Sequence, residues 1–131
     1  MADWSELIEA AQQAQAQAYA PYSEYHVGSA LLSEGKIHAG CNVENASYGL
    51  TMCAERSALA KAISEGQREF VALAVWSSTP RPLMPCGACR QVLHEFAPSL
   101  RVLVAGGDAP VKEFALSALL PEAVGPADLG A

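Results

Sequence analysis

The chain has 131 residues, enough for one domain that buries a sizeable core. Hydrophobic residues make up 51% and charged residues 17%, a balance that excludes a disordered polypeptide. The formal net charge of -6 gives no general attraction to phosphate backbones and argues against a nucleic-acid partner.

The chain shows no pattern of a membrane or secreted protein. No apolar run approaches the roughly 20 residues needed to span a bilayer, and Asp3 and Glu6 stand where a secretory signal would be basic. We therefore expect a cytoplasmic protein, whose thiols remain reduced. Its four cysteines then point to metal binding or catalysis before disulfides.

Hydrophobic periodicity predicts strands alternating with helices. In chain order, the first half contains a helix at 3–19 with Asp3 as N-cap, a hairpin of strands 25–32 and 37–43, and a helix at 52–64. The second half contains a strand at 70–76, a proline-rich loop at 77–85, a helix at 87–96, a strand at 100–105, an edge strand at 111–116 and a loosely ordered tail at 119–129. Because the first strands form a hairpin, we expect a mixed sheet in a single α/β domain spanning 1–131.

Three cysteines have the spacing of metal ligands. Cys86-x-x-Cys89 supplies two sulfurs from one turn, and Cys53 supplies a third from the start of another predicted helix. A catalytic zinc needs about three protein ligands, which leaves one position for water. Backbone N–H groups at the helix starts favour thiolates. The pattern therefore predicts a catalytic zinc site.

Two neighbours of Cys53 suit the same chemistry. Glu55 lies close to the metal without being needed as a ligand, so its carboxylate can take a proton from water and deliver it to a substrate. Taken alone, Glu55 could equally be an acid that favours a helix N-terminus. Arg56 is placed to donate hydrogen bonds to the thiolates and offset their charge, with Arg90 as a second candidate.

Together, Cys53-x-Glu55 and Cys86-x-x-Cys89 form the signature of zinc deaminases that act on nucleobases. Over nearly its whole length the chain resembles the small cytidine deaminases that form homotetramers. The matching segments are 19–23, 27–28, 42–48, 53–56, 85–91 and 119–121.

That resemblance implies both a fold and a reaction. The fold is a three-layer α/β/α sandwich with a five-stranded mixed sheet and one zinc ion in each subunit. The reaction is the hydrolytic deamination of cytidine and 2′-deoxycytidine to uridine and 2′-deoxyuridine, which releases ammonia and serves pyrimidine salvage.

The resemblance also assigns residues around the nucleoside. At a predicted strand end, Asn42 and Glu44 point to one side, where the family binds the ribose hydroxyls, while Val43 points into the core. The family position of Tyr25 stacks on the pyrimidine, and the N–H of Ala54 donates to the base carbonyl. On periodicity alone, Tyr25 is as well explained as an ordinary core aromatic residue.

Two positions concern contacts between subunits. Tyr48 matches a family residue that reaches a neighbouring subunit's site. After Leu119-Leu120-Pro121 the family usually places a phenylalanine over the base in an adjacent site, whereas this chain has Val124. A valine cannot stack on a base, so we expect weaker closure unless another aromatic residue substitutes.

Three other functions fit parts of the pattern. A related zinc deaminase could act on a nucleoside antibiotic, a free base or a tRNA adenosine. Cys41 is expected to be a buried structural thiol, but as a fourth ligand it would make a non-catalytic module stapled by zinc. Cys86-x-x-Cys89 could also form a reversible disulfide in a redox protein, where Cys53 and Glu55 would have no purpose.

Overall fold

The structure is a computed structural model that describes residues 3–79 and 81–131. Its helices and strands are α1 (Ser5–Gln15), β1 (Val27–Ser33), β2 (Lys36–Cys41), α2 (Ala54–Ser64), β3 (Ala72–Ser77), α3 (Gly87–Phe96), β4 (Arg101–Gly106), β5 (Ala109–Ala115) and α4 (Leu116–Leu119). Short 3-10 helices lie at Tyr48–Leu50 and Pro126–Leu129. Within the two described ranges, no helix has the length and apolar character needed to cross a membrane.

The strands form one five-stranded mixed sheet in the order β2-β1-β3-β4-β5. The central strand pair β3 and β4 is parallel, whereas β1 pairs antiparallel with both β2 and β3 and β5 pairs antiparallel with β4. Parallel neighbours need a crossover, which α3 provides between β3 and β4. The predicted mixed sheet is confirmed, with β5 at its edge.

Helices cover both faces of the sheet, because successive side chains of the central strand point to opposite faces. Leu73 and Val75 of β3 pack in the core cluster beneath α2 and α3. Ala72 and Ala74 of the same strand pack in a second cluster beneath α1. The three-layer α/β/α sandwich is therefore confirmed.

Two glycines allow helices to approach the sheet closely. A Cβ atom at Gly28 would lie 2.0 Å from the carbonyl oxygen of Ala11 in α1, and one at Gly40 would lie 2.5 Å from the backbone nitrogen of Ala58 in α2. Any larger residue would push either helix outward. Helix α2 is consequently held against β2 by direct backbone contact.

The topology brings the starts of α2 and α3 to the same end of the strands. Strands β2 and β3 run in the same direction, since each is antiparallel to β1. Helix α2 follows β2 and α3 follows β3, so both helices begin beyond the same strand ends. Val27, the first residue of β1, lies opposite Ser77 at that end.

The first helix is shorter than predicted and is capped differently. Its N-cap is Trp4 rather than Asp3, and the Asp3 Oδ1 accepts the backbone N–H of Ser5 at 2.9 Å. The helix ends at Gln15 because the backbone of Tyr19 is drawn into extended pairing with the segment after β2. The predicted end at residue 19 is therefore wrong.

The segment after β2 also corrects the prediction for Val43. Strand β2 ends at Cys41, and Val43 instead exchanges two backbone hydrogen bonds with Met52, each 2.9 Å long. The strand alternation does not extend this far, and the Val43 side chain is 46% exposed rather than in the core. The same bridge holds the chain just before Cys53.

The C-terminal segment has more regular structure than the predicted loose tail. The predicted tail at 119–129 begins where α4 ends and contains the 3-10 helix Pro126–Leu129, at whose start the Asp128 carboxylate accepts the Gly125 N–H at 2.8 Å. Gln91 of α3 donates its side-chain amide to the Val124 carbonyl at 2.9 Å. The order of this segment comes from hydrogen bonds to particular groups and not from a buried apolar face. Hydrophobic periodicity therefore could not predict it.

Candidate active site

The three predicted ligands meet at the end of the strands where α2 and α3 begin. Cys53 and Cys86 are the N-cap residues of these helices, and Cys89 lies in the first turn of α3. The Sγ atoms are 3.8 Å apart for Cys53 and Cys86, 3.4 Å apart for Cys86 and Cys89, and all three lie within 4.8 Å of one another. Ligands about 2.3 Å from a tetrahedral zinc ion would be separated by about 3.8 Å, so the cluster fits this metal.

The cluster contains three candidate ligands rather than four. Among residues 3–79 and 81–131, the group able to hold a metal consists of Cys53, Cys86 and Cys89. Cys41 ends β2 opposite Gly28 and is not part of it. Three protein ligands leave a position for water, as in catalytic zinc sites.

Hydrogen bonds favour a thiolate at Cys53. The Cys89 thiol and the Arg56 guanidinium lower the pKa of Cys53 to about 5, with Arg56 Nη2 at 3.4 Å from the sulfur. Donation of its proton to Cys53 raises the pKa of Cys89, and burial raises it further. Arg56 also donates to the Thr51 carbonyl at 3.4 Å, which aims it at the start of α2. The hydrogen bond from Arg56 to a cysteine sulfur, expected from the sequence, is therefore present.

Glu55 lies in the first turn of α2, and only 4% of its surface is exposed. Burial raises the pKa of Glu55 to about 7, and the negative charge of Cys53 raises it in the same direction. A carboxyl group that titrates near neutral pH can both accept and release a proton. The geometry therefore gives Glu55 the properties of an acid–base group.

A cavity of about 240 Å³ opens onto these groups. Its wall contains most of the predicted site residues, namely Tyr25, Asn42, Glu44, Cys53, Ala54, Glu55 and Cys86. A neighbouring cavity of about 300 Å³ is lined by Tyr22, Ser23 and Tyr48 and shares Glu44 and Thr51 with the first. Tyr48 is thus beside the first cavity and not in its wall. We call the exposed rings of Tyr22, Tyr25 and Tyr48 beside this cavity its mouth.

Sequence reasoning missed several residues that line the first cavity. They are Val27, Thr51, Val75, Leu83 and Met84. Leu83 and Met84 belong to the proline-rich loop directly before Cys86, and proximity to a ligand was a usable signal. Val75 looked like an ordinary core residue, because nothing in a buried strand marks the side chain nearest a cavity.

Comparison with known proteins agrees with this geometry. The family described as "Cytidine and deoxycytidylate deaminase zinc-binding region" matches residues 1–105, most of the chain. The chain belongs to this family. Its zinc-binding character accords with the three-sulfur cluster, and the resemblance found in the sequence is confirmed.

Individual deaminases match over nearly all of the chain. A cytidine deaminase of Halalkalibacterium halodurans is 52% identical over 89% of this chain and 90% of its own. One from Mycobacterium tuberculosis is 46% identical over 97% of this chain and 93% of its own. The crystal structure of cytidine deaminase from Burkholderia pseudomallei is 48% identical, has a TM-score of 0.89, and covers 94% of this chain and all (100%) of that one.

The deaminase motif residues Asn42 and Glu44 are both anchored by backbone groups. Asn42 Oδ1 accepts the Val27 N–H at 2.9 Å, and its Nδ2 donates to the Tyr25 carbonyl at 2.7 Å. Glu44 Oε1 accepts the N–H groups of Tyr22 and Ser23, at 3.0 and 3.1 Å.

These bonds orient both side chains and leave some of their capacity free. The hydroxyl of Ser23 also bonds to Glu44 and, with the backbone groups, lowers the pKa of that carboxyl. Amide and carboxylate oxygens have two lone pairs each, so further hydrogen bonds remain available at the cavity. Glu44 is therefore an oriented anion at the wall.

Aromatic residues around the mouth of this deaminase cavity are exposed. Tyr25 is 58% exposed and lies before β1, so the alternative that it is a core residue on the first strand is wrong. Tyr48 is 77% exposed and contacts Tyr22 edge to face, with ring centroids 6.3 Å apart. These rings present apolar surface outward from the site.

Val124 does not line the cavity of its own chain. It is 52% exposed and lines a separate depression with Gln91 and Glu95. The absence of a stacking ring at Val124 therefore changes no contact within one chain.

Arg90 is bonded differently from its predicted role as a second partner of the thiolates. Its Nε donates to the Pro85 carbonyl and its Nη1 to the Leu119 carbonyl, each at 2.8 Å. In the described part of the chain, the hydrogen bond from an arginine to a ligand sulfur comes from Arg56. The prediction for Arg90 is wrong, because the hydrogen bonds that it makes go to main-chain oxygens.

Proposed function

We propose that the protein is a zinc-dependent hydrolase that converts cytidine and 2′-deoxycytidine to uridine and 2′-deoxyuridine with release of ammonia. The supporting observation is that the sulfurs of Cys53, Cys86 and Cys89 lie within 4.8 Å of one another. The buried Glu55 lies beside them at the same cavity, in a chain of the cytidine and deoxycytidylate deaminase family. Three sulfurs hold the metal, and one carboxyl group handles protons.

The cysteines Cys53, Cys86 and Cys89 hold the zinc as thiolates. When bound, the metal supplies Lewis acidity that makes water a stronger acid and a ready nucleophile at neutral pH. Arg56 offsets part of the charge of the three thiolates through its hydrogen bond to Cys53. Burial of Cys89 keeps bulk water away from that side of the site.

Glu55 is the proton carrier in this proposal. It takes a proton from the attacking water and delivers it to N3 of cytosine, which makes C4 more electrophilic. The oxygen of that water bonds to C4, and the second proton of this hydroxyl passes through Glu55 to the amino group. The C4–N bond then breaks, and ammonia leaves as the C4 carbonyl forms. One water is consumed for each nucleoside converted.

The remaining cavity residues bind the nucleoside. The N–H of Ala54 is one of the unpaired donors at the start of α2 and is directed to the base carbonyl. Asn42 and Glu44 bind the ribose hydroxyls, and the ionised Glu44 disfavours a phosphate at the sugar. Tyr25 stacks on the pyrimidine from the cavity wall.

A substrate panel with a zinc assay tests the proposed function. The purified protein is expected to contain one zinc per chain. It is also expected to deaminate cytidine and deoxycytidine, and the loss of absorbance by the cytosine ring measures this reaction. Free cytosine, adenosine, the antibiotic blasticidin and a cytidine carrying a 3′-phosphate serve as comparison substrates. A preference for any of these, or a reversible Cys86–Cys89 disulfide in place of zinc, would overturn the assignment.

We also propose a homotetramer in which Tyr48 reaches a neighbouring subunit's site. The exposed aromatic rings at the mouth support it, because apolar surface beside a substrate cavity is stabilised when a partner covers it. The enzyme is proposed to be a single domain over 1–131 and to work in the cytoplasm, where its thiols stay reduced.

Subunit mixing tests the role of Tyr48. Tyr48→Ala and Glu55→Gln chains are each expected to be poorly active alone. If Tyr48 acts across the interface, a mixed oligomer contains sites with an intact Glu55 from one chain and an intact Tyr48 from the other, and activity returns. Mixed oligomers with no recovery, or a monomeric mass in light scattering, would contradict the proposal.

A further inference from the structure

Arg90 joins two segments that are distant in sequence. It is half-buried in α3, directly after the ligand Cys89. Its Nε donates to the carbonyl of Pro85 and its Nη1 to the carbonyl of Leu119, both at 2.8 Å. One guanidinium therefore connects the turn before Cys86 to the end of α4.

On the metal side, the contact fixes the turn that carries Cys86. Pro85 is buried and has no N–H of its own, so its carbonyl is the polar backbone group that needs a partner there. Arg90 supplies that partner with a charged donor, which makes a stronger hydrogen bond than a neutral one. Cys86 is exposed and caps α3 without a side-chain hydrogen bond to the helix. The hydrogen bond from Arg90 to the Pro85 carbonyl thus directly restrains the backbone of Cys86.

On the other side, the same side chain holds the C-terminal segment. The last carbonyls of a helix lack partners within the helix, and Leu119 at the end of α4 is in this position. Gln91, the next residue of α3, holds the Val124 carbonyl at 2.9 Å. Residues 90 and 91 therefore attach the C-terminal segment to the helix that supplies two ligands.

We propose that Arg90 is a positioning residue that couples the C-terminal segment to the metal site by fixing the Pro85–Cys86 turn. The proposal rests on the proposed metal role of Cys86. It needs the planar fork of arginine, because an ammonium group on a flexible stem does not reproduce two donors in fixed directions. A role in offsetting thiolate charge would instead be preserved by lysine.

The rate of zinc release to a chromogenic chelator tests the proposal. Losing a group that orients a metal ligand usually lowers metal affinity about 10- to 100-fold. With zinc association unchanged, Arg90→Lys and Arg90→Met are both expected to release zinc faster than the wild type by about that factor. Cobalt-substituted samples of these variants should also show altered thiolate-to-cobalt bands. Gln91→Ala removes only the Val124 contact and should release zinc at nearly the wild-type rate.

Several results would overturn the coupling. The first is a zinc-release rate in Arg90→Met equal to that of the wild type. The second is a wild-type rate in Arg90→Lys when Arg90→Met releases zinc faster. The third is a rate in Gln91→Ala that is raised as much as in the Arg90 variants. A wild-type protein that binds no zinc would overturn the proposed function as well, so the two failures are distinguishable.

Hydrogen exchange on the wild-type chain provides a test that does not depend on a variant folding. Coupling is reciprocal, so removal of zinc should raise amide exchange at residues 116–121 as well as at 86–90. The edge strand β5 is the internal control and should change little. Unchanged exchange at 116–121 after zinc removal would contradict the proposal.

Discussion

The inner end of the cavity and its mouth differ in how completely one chain encloses them. At the inner end, Glu55 is 4% exposed, and of the three cysteines Cys89 is 0% exposed, Cys53 is half-buried and Cys86 is exposed. At the mouth, Tyr25 and Tyr48 are 58% and 77% exposed. The acid–base and ligand groups are thus assembled by one chain, whereas the rings around the substrate entrance lack cover from it. Changes at the inner end should affect chemistry and metal, and changes at the mouth should affect substrate affinity.

The largest effect is expected from Glu55→Gln at the inner end. The amide keeps the size of the side chain but cannot carry protons, so kcat should fall about 10²- to 10⁴-fold or more. Zinc content should remain at the wild-type level. The exposed Glu69→Gln is the control and should keep wild-type turnover. A zinc-loaded Glu55→Gln enzyme with unchanged kcat would remove Glu55 from the mechanism.

Gly40→Ala tests whether the inner end depends on close packing of α2 against the sheet. Its new Cβ would lie 2.5 Å from the Ala58 backbone nitrogen, so α2 must shift. We expect a loss of roughly 1–3 kcal/mol in the free energy of unfolding, measured in urea. At Gly49 a Cβ would meet nothing within 4 Å, and Gly49→Ala should be nearly neutral. Equal stabilities for the two variants would refute the packing argument.

Arg56→Gln tests charge compensation at the same end. It removes the guanidinium that donates to the Cys53 sulfur at 3.4 Å. Loss of this hydrogen bond to the Cys53 sulfur should lower zinc affinity about 10- to 100-fold, measured by competition with a chelator. Arg101 lies in an exposed ion pair with Glu113, and Arg101→Gln should bind zinc as the wild type does. Matching affinities in both variants would show that Cys53 needs no cation.

At the mouth, Tyr25→Ala should raise KM for cytidine about 2- to 10-fold with a smaller change in kcat, as expected for a lost stacking contact. Tyr25→Phe keeps the ring and should retain a KM close to that of the wild type. If Tyr25→Phe is as impaired as Tyr25→Ala, the hydroxyl rather than the ring makes the important contact.

The smallest effect is expected from Val124→Phe. If the proposed homotetramer places this position over a neighbouring subunit's site, a phenylalanine adds a ring that can cover the base there, and KM should fall a few-fold. Val124→Leu adds apolar bulk without a ring and should leave KM nearly unchanged. Equal effects of the two substitutions would indicate burial of apolar surface rather than stacking.

Local chemistry explains why much of the fold and the metal cluster could be predicted. The helix at Gly87–Phe96 has the predicted limits, because apolar spacing and a following proline mark it within the sequence. Cys86-x-x-Cys89 is a single turn, so its spacing alone places two sulfurs side by side. The early end of α1 was not predictable, because it depends on backbone pairing between Tyr19 and the segment after β2.

The sequence by itself determined the layered α/β class and the grouping of three cysteine sulfurs next to Glu55, since helix periodicity and cysteine spacing are short-range properties. Only the tertiary structure decided that Leu83 and Met84 line the cavity, that Val43 faces outward and that Arg90 binds two carbonyls instead of thiolates. Each of these depends on which distant backbone group lies within hydrogen-bonding or packing distance. Side-chain type and local spacing carry no information about that distance until the sheet brings the segments together.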